Sequence, residues 1–136
     1  MSLDVIKSQI EARLIALSGG IPAAQTQWAN VAFEPTQGTP YQRVWHLPAP
    51  PVNFSGLSTR RRYSGYTLID LCYPYGAGEG DADAAAKALE GWFYQGLSFT
   101  TNSVTTHVDR TPEIKSGRVE GDRWVVTVKV TWFCNT

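Results

Sequence analysis

A chain of 136 residues is long enough for one domain with a core that needs no disulfide staples. Its twelve basic and twelve acidic side chains cancel, which argues against nucleic acid as the main partner, because phosphate neutralisation usually demands a basic excess. Charged residues make up 18% of the chain, fewer than the roughly 25% of an average soluble domain, so part of the surface is expected to be covered by protein, self-association being the simplest case.

The opening residues MSLDVIKSQI carry neither a basic n-region nor a long apolar run. Neither a signal peptide nor a membrane span is expected, and synthesis in the cytosol follows. Leu3, Ile6, Ile10, Leu14 and Leu17 recur every three or four residues and predict an amphipathic helix over 2–17, with Lys7, Glu11 and Arg13 mostly off its apolar stripe. Ser18-Gly19-Gly20 ends it. Residues 21–40 read as loop, with a short strand at Val31–Phe33 and a turn cluster at 36–40. Tyr41 to Leu47 alternates as a strand, with Tyr41, Arg43, Trp45 and Leu47 on one face and Gln42, Val44 and His46 on the other.

Residues 48–61 contain Pro48, Pro50, Pro51 and Gly56, and read as a long loop. Val52, Phe54 and Leu57 give it apolar content that a solvated linker does not need, so it either folds back or reaches a partner. It runs into three consecutive cations, Arg60, Arg61 and Arg62. Three readings stay open for these: a solvated basic loop, a salt-bridge element meeting acids such as Glu79, Asp81 or Glu113 of a neighbouring subunit, and a contact to passing DNA phosphate.

Arg62 to Tyr73 has apolar or aromatic groups on both faces and predicts an interior strand. Asp70 interrupts it; a buried carboxylate needs a partner, and Arg43 is the candidate. Gly76-Ala77-Gly78-Glu79-Gly80 lacks the Gly-Lys-Ser/Thr ending of a phosphate loop and reads as a turn, with Asp81 or Asp83 capping a helix over 82–95. Ala85, Ala88, Leu89, Trp92 and Phe93 are its expected buried face. Strands follow at Leu97–Thr101 and Val104–Arg110 around Asn102-Ser103, then a loop over 112–122. Arg123 to Cys134 is the clearest strand: Trp124, Val126, Val128, Val130, Trp132 and Cys134 form a buried face, the alternate residues a half-wet one. The order predicts a single α+β domain over 1–136, a mainly antiparallel, mixed sheet with the N-terminal helix and a second helix packed against it.

Catalytic chemistry is thinly represented. His107 with Asp109 or Asp70 could be drawn as a dyad, and a small hydrolase or ligand-binding domain is the alternative function. No nucleophile elbow or metal-binding helix motif accompanies them. Cys72 and Cys134 sit in apolar patterns and read as buried thiols, with no CxxC or Cys/His cluster. No catalytic residue, metal or cofactor is predicted.

Gly38-Thr39-Pro40-Tyr41-x-Arg43-Val44 is followed by Leu47-Pro48-Ala49-x-Pro51-Val52, then Arg60-Arg61-Arg62, the Gly65 strand ending at Tyr73-Pro74, and the Gly78-Glu79-Gly80 turn opening a helix. This order, over about 28–134, resembles the tail-terminator proteins of long-tailed bacteriophages and their prophage relatives. The resemblance implies an α+β subunit of a ring, expected to be a hexamer. Such a ring caps the tail-tube protein, ends tube growth and offers a surface to head-completion proteins, with DNA later passing through its lumen. It implies binding without catalysis, and a place in the virion tail after assembly in the bacterial cytoplasm. Another ring-forming head–tail connector is a further alternative. Ring closure needs two different patches on each subunit. Phe54, Leu57, Arg60, Arg61 and Arg62 are the expected subunit or DNA contact.

Overall fold

A computed structural model of the chain describes residues 3–28, 31–53, 56, 60–76 and 78–135. In chain order these give α1 (Leu3–Ile15), a 3-10 turn (Ala23–Gln25), β1 (Thr26–Gln27), β2 (Tyr41–Pro48), β3 (Val52–Asn53), β4 (Arg61–Pro74), α2 (Gly80–Trp92), β5 (Ser98–Thr101), β6 (Val104–Val108), β7 (Glu113–Ile114), β8 (Arg118–Glu120) and β9 (Arg123–Asn135). The strands make one sheet in the order β1-β2-β4-β9-β6-β5, with β3 added to β4, and β7 and β8 added to β9. It is mixed because β1 runs parallel to β2; the other pairings are antiparallel. This is the α+β architecture that the order of patterns predicts. No helix among the described residues is long and apolar enough to cross a membrane.

The two longest strands, β4 and β9, pair from Arg62↔Asn135 to Pro74↔Arg123 and form the spine. Their shared inner face carries Ile69, Leu71, Val126, Val128, Val130 and Trp132, all at most 1% exposed. Ile6, Ile10 and Leu14 of α1 and Ala82, Ala86 and Leu89 of α2, with Phe93 just beyond it, complete one core cluster against it. Each large aliphatic or aromatic group so buried contributes about 1.5–3 kcal/mol. Gly65 lets β2 approach here, since a Cβ on it would lie 2.6 Å from the Leu47 carbonyl oxygen and 2.8 Å from Pro48 Cα. At the predicted turn, Asn102 and Ser103 both take positive φ, 51° and 65°, which suits a tight hairpin between β5 and β6.

Several expectations are corrected. No strand forms at Val31–Phe33; the short strand is Thr26–Gln27, and Phe33 instead packs its ring 5.5 Å from that of Tyr41. The stretch 48–61 is not simply a loop. Ala49 N–H donates to the Ser64 carbonyl at 2.8 Å, and β3 pairs with Arg61 and Arg62, so its described flanks continue the β2–β4 hairpin outward as an arm. Prolines 48, 50 and 51 lack N–H donors, so the ladder breaks and resumes at Val52. Phe54 and Leu57 lie outside the described residues.

The second helix starts at Gly80, with Asp81 and Asp83 inside its first turn and no side-chain capping bond. Its acids therefore act on the helix dipole and do not cap the backbone. Its buried phase is Ala82, Ala86, Leu89, then Phe93, while Ala88 is exposed. The run Ala84-Ala85-Ala86 leaves that phase undetermined in sequence. Finally, 112–122 is not only loop, because β7 and β8 lie along β9. Strands of two and three residues are too short to show alternation.

Candidate functional site

The sheet's outer face, away from the helices, falls into three parts along its length, two covered and one open. At one end Tyr41, Cys72 and Val125 stand in register and form a second small core with Phe33. Arg123 ties the segment before β2 over them: its Nη1 donates to the Thr39 carbonyl at 2.5 Å and its Nη2 to that of Thr36 at 2.7 Å, with the guanidinium 5.0 Å from the Tyr41 ring centroid. Burial pushes both the Cys72 thiol and the Tyr41 hydroxyl upward in pKa. Neither cysteine is in a disulfide and both are buried, as their apolar surroundings predict.

In the middle Arg43, Asp70 and Thr127 stand in register on β2, β4 and β9. Asp70 is 2% exposed. Arg43 Nη2 donates to its Oδ2 at 3.0 Å, which is the partner that the buried carboxylate was expected to find. Thr127 Oγ1 donates to Oδ1 at 2.5 Å, and Arg118 Nη2 lies 3.7 Å from Oδ2. Glu120 closes the group by accepting from Arg43 Nη1 at 3.0 Å and from Arg118 Nε at 3.2 Å. The Arg43 hydrogen bond, more than any other influence, holds the Glu120 carboxyl below its usual range. Two cations and two carboxylates neutralise each other and hold the Arg118 and Glu120 side chains of β8 across the face. The arrangement is structural, since every charge in it is matched.

At the other end the face is open. Trp45 and Leu47 stand opposite Leu68 and Tyr66, which stand opposite Lys129 and Thr131. Trp45 is 43% and Leu47 42% exposed, and Val52 on the adjoining β3 is 56% exposed. Lys129 Nζ sits 4.4 Å from the Tyr66 ring centroid. The rim is basic. Arg62 donates Nε–H to Asn135 Oδ1 at 2.9 Å and lies 4.5 Å from the Phe133 ring centroid, while His107 stacks on the same ring at 4.9 Å. Arg60 is exposed beside it. Of the five residues singled out in sequence, Arg60 and Arg62 thus lie at the edge of an open apolar surface, whereas Arg61, one position out of phase, turns to the other face, where its Nη1 donates to the Tyr63 hydroxyl. The surface itself, Trp45 and Leu47, was legible only as one face of a strand, with no sign of which face the helices would take.

The dyads drawn in sequence do not assemble around Asp70. His107 is in register with Phe133 and Asp70 with Thr127, six positions apart along β9, or about 20 Å. The Asp109 carboxylate faces Arg110 at 4.0 Å. A different arrangement went unnoticed in the sequence: His46 Nδ1 lies 2.9 Å from Thr67 Oγ1, which also accepts from Trp132 Nε1–H at 3.1 Å. Either atom of the His46–Thr67 pair can be the donor, according to the imidazole tautomer, and Nε2 lies 3.5 Å from Glu11 Oε2, an ion-pair distance without hydrogen-bond alignment. The order acid, imidazole, hydroxyl resembles a catalytic triad, but Thr67 is fully buried and cannot meet a substrate. None of these three lines the cavity of about 60 Å³ between Leu14, Leu71 and Leu89. Among the described residues no three His, Cys, Asp or Glu side chains gather as metal ligands.

A family model described as phage tail terminator protein matches residues 5–132. Four chains of solved structures match; one of them superposes with a TM-score of 0.81 over 98% of this chain and 96% of its own, at 22% identity, which establishes a shared fold. No curated protein matches.

Proposed function

Since the chain belongs to the phage tail terminator protein family, we propose that it closes the tail tube as a ring of identical subunits, halts tube growth and presents a surface for joining the head. It is a structural component of the phage tail, and its family works through contacts with other tail and head proteins. The match over residues 5–132 carries this reading. The geometry supports it in kind: the charges of Arg43, Asp70 and Glu120 on the outer face are paired internally, whereas Trp45, Leu47 and Val52 stay exposed and are available to a partner. On this reading 1–136 is one domain, the ring is a hexamer, and its partners are tail-tube protein below and head-completion protein above. DNA crosses the lumen in transit. The subunits collect in the host cytoplasm before assembly.

Deleting the gene from its phage and measuring tails by electron microscopy tests the capping role. Tails of uncontrolled length that fail to join heads are expected. Tails of normal length, joined to heads, would remove the role. The hydrolase alternative gains nothing from the structure, because His107 and Asp70 stand apart and Thr67 is enclosed.

A further inference from the structure

We propose that the open part of the outer face, with its arginine rim, takes the opposite end of a second copy of this chain, the end formed by Tyr75 and the start of α2. This rests on the ring reading above and names the two patches that the ring would join.

The open face is apolar at its centre and basic at its edge. Trp45, Leu47 and Val52 are each at least 42% exposed, and the exposed Arg60 and Arg62 follow directly along the arm. The rest of the same face is not left bare: the chain covers it with Phe33 at one end and with the Arg118 and Glu120 side chains of β8 in the middle. Only the arm end lacks an internal cover among the described residues.

The other end of β4 has the complementary character. Tyr75 is 63% exposed immediately after the strand, beside a cleft it forms with Trp124 and Glu79. Glu79, Asp81 and Asp83 are exposed there, and no ion pair joins them to a cation among the described residues. Three cations thus cluster at the start of β4 and three carboxylates beyond its end, in a chain whose net charge is zero. The strand itself, fourteen residues long, spans about 45 Å.

This segregation selects the occupant and its orientation. Two copies meeting through the same patch would set arginines against arginines, or carboxylates against carboxylates, which is repulsive. Head to tail, each arginine rim meets an acidic end, and the exposed Tyr75 ring comes to an apolar, aromatic surface. A guanidinium placed over an aromatic face within an acidic cleft gains both cation–π and charge attraction. Such a contact joins two different patches, so it continues around a ring and does not stop at a pair.

Charge exchange tests the assignment. One variant carries Arg60→Glu with Arg62→Glu, another Glu79→Arg with Asp81→Arg, and circular dichroism establishes that both are folded. Self-association is read by sedimentation velocity, on the purified chain alone and on tubes of tail-tube protein from the same phage. The native chain is expected to associate. Each variant should associate on the order of tenfold more weakly, and an equal mixture of the two should recover most of the loss. Variants that associate like the native chain, or a mixture that recovers nothing, would overturn the two patches and leave the ring standing. A native chain that stays monomeric in both settings would take down the ring and this contact together.

Discussion

Arg13 and Trp92 grip each other reciprocally at the ends of the two helices. Arg13 Nη2 donates to the Trp92 carbonyl at 2.9 Å, and Trp92 Nε1 donates to the Arg13 carbonyl at 2.6 Å. The guanidinium also lies 3.6 Å from the Trp92 ring centroid. Both acceptors are carbonyls in the last turns of α1 and α2, the groups that a helix leaves without internal partners. The pair therefore caps two helices and fixes their relative position. Arg13→Ala and Trp92→Phe should each destabilise, and in a double-mutant cycle their effects should fall short of additivity by about 1–2 kcal/mol. Urea denaturation of the four proteins measures this; additive effects would mean that the helices are held independently.

The Asp70 group makes a sharper stability prediction. Removing the carboxylate with Asp70→Ala leaves Arg43 and Thr127 facing each other in a buried place, at a cost of about 3–5 kcal/mol. Thr127→Val, which keeps the shape and removes one hydrogen bond, should cost about 1–2 kcal/mol. Glu120→Gln should cost under ~1 kcal/mol, because that side chain is 44% exposed. This ranking follows burial and not the number of contacts, and denaturant midpoints would show whether it holds.

How far the sequence reaches is clearest in these same residues. The alternation of Arg123–Cys134 announced β9 and its buried face, and the lone acid in an apolar strand announced that Asp70 needed Arg43. Long periodic segments carry that information themselves. Arg13 lies off the apolar stripe, and nothing local marks its carbonyl as the acceptor of an indole seventy-nine positions away. Gln9, within the first helix, is buried because its amide bonds the Val104 carbonyl at 2.8 Å and accepts from Thr106, which is again a tertiary fact. The candidate surface was half legible. Three adjacent arginines stand out in any reading, whereas the exposure of Trp45 and Leu47 depends on which side of the sheet the helices occupy.

His46 predicts a dependence on pH. Burial lowers its pKa more than the nearby Glu11 carboxylate raises it, and Lys7 lowers it further. The groups around it are thus Glu11 and Lys7 from α1 and the Thr67 hydroxyl from β4. In the unfolded chain the imidazole takes up its proton near pH 6.5, at a higher pH than in the folded protein. The unfolded state then binds more protons, so stability is full above about pH 6.5 and is lost as the pH falls through the folded value. His46→Gln should flatten this part of the profile. Urea midpoints at about pH 7.5 and about pH 5 compare the two proteins; an unchanged slope in the variant would assign the dependence to other groups.

Two tryptophans on opposite faces should separate folding from assembly. Trp132 is fully buried on the inner face and donates to Thr67 Oγ1, so Trp132→Ala removes a large core group and a hydrogen bond. A loss of about 3–5 kcal/mol is expected. Trp45 is 43% exposed on the outer face, and its main neighbours are Leu68 across the strand and the Arg43 guanidinium 5.3 Å from its ring. Trp45→Ala should cost no more than about 1 kcal/mol. It should nevertheless weaken self-association on tail tubes on the order of tenfold, as expected for an aromatic anchor in an interface. Thermal unfolding and sedimentation of the same two variants decide the matter. If Trp45→Ala left assembly unchanged, the exposed ring would be incidental, and the contact would have to rest on the arginine rim alone.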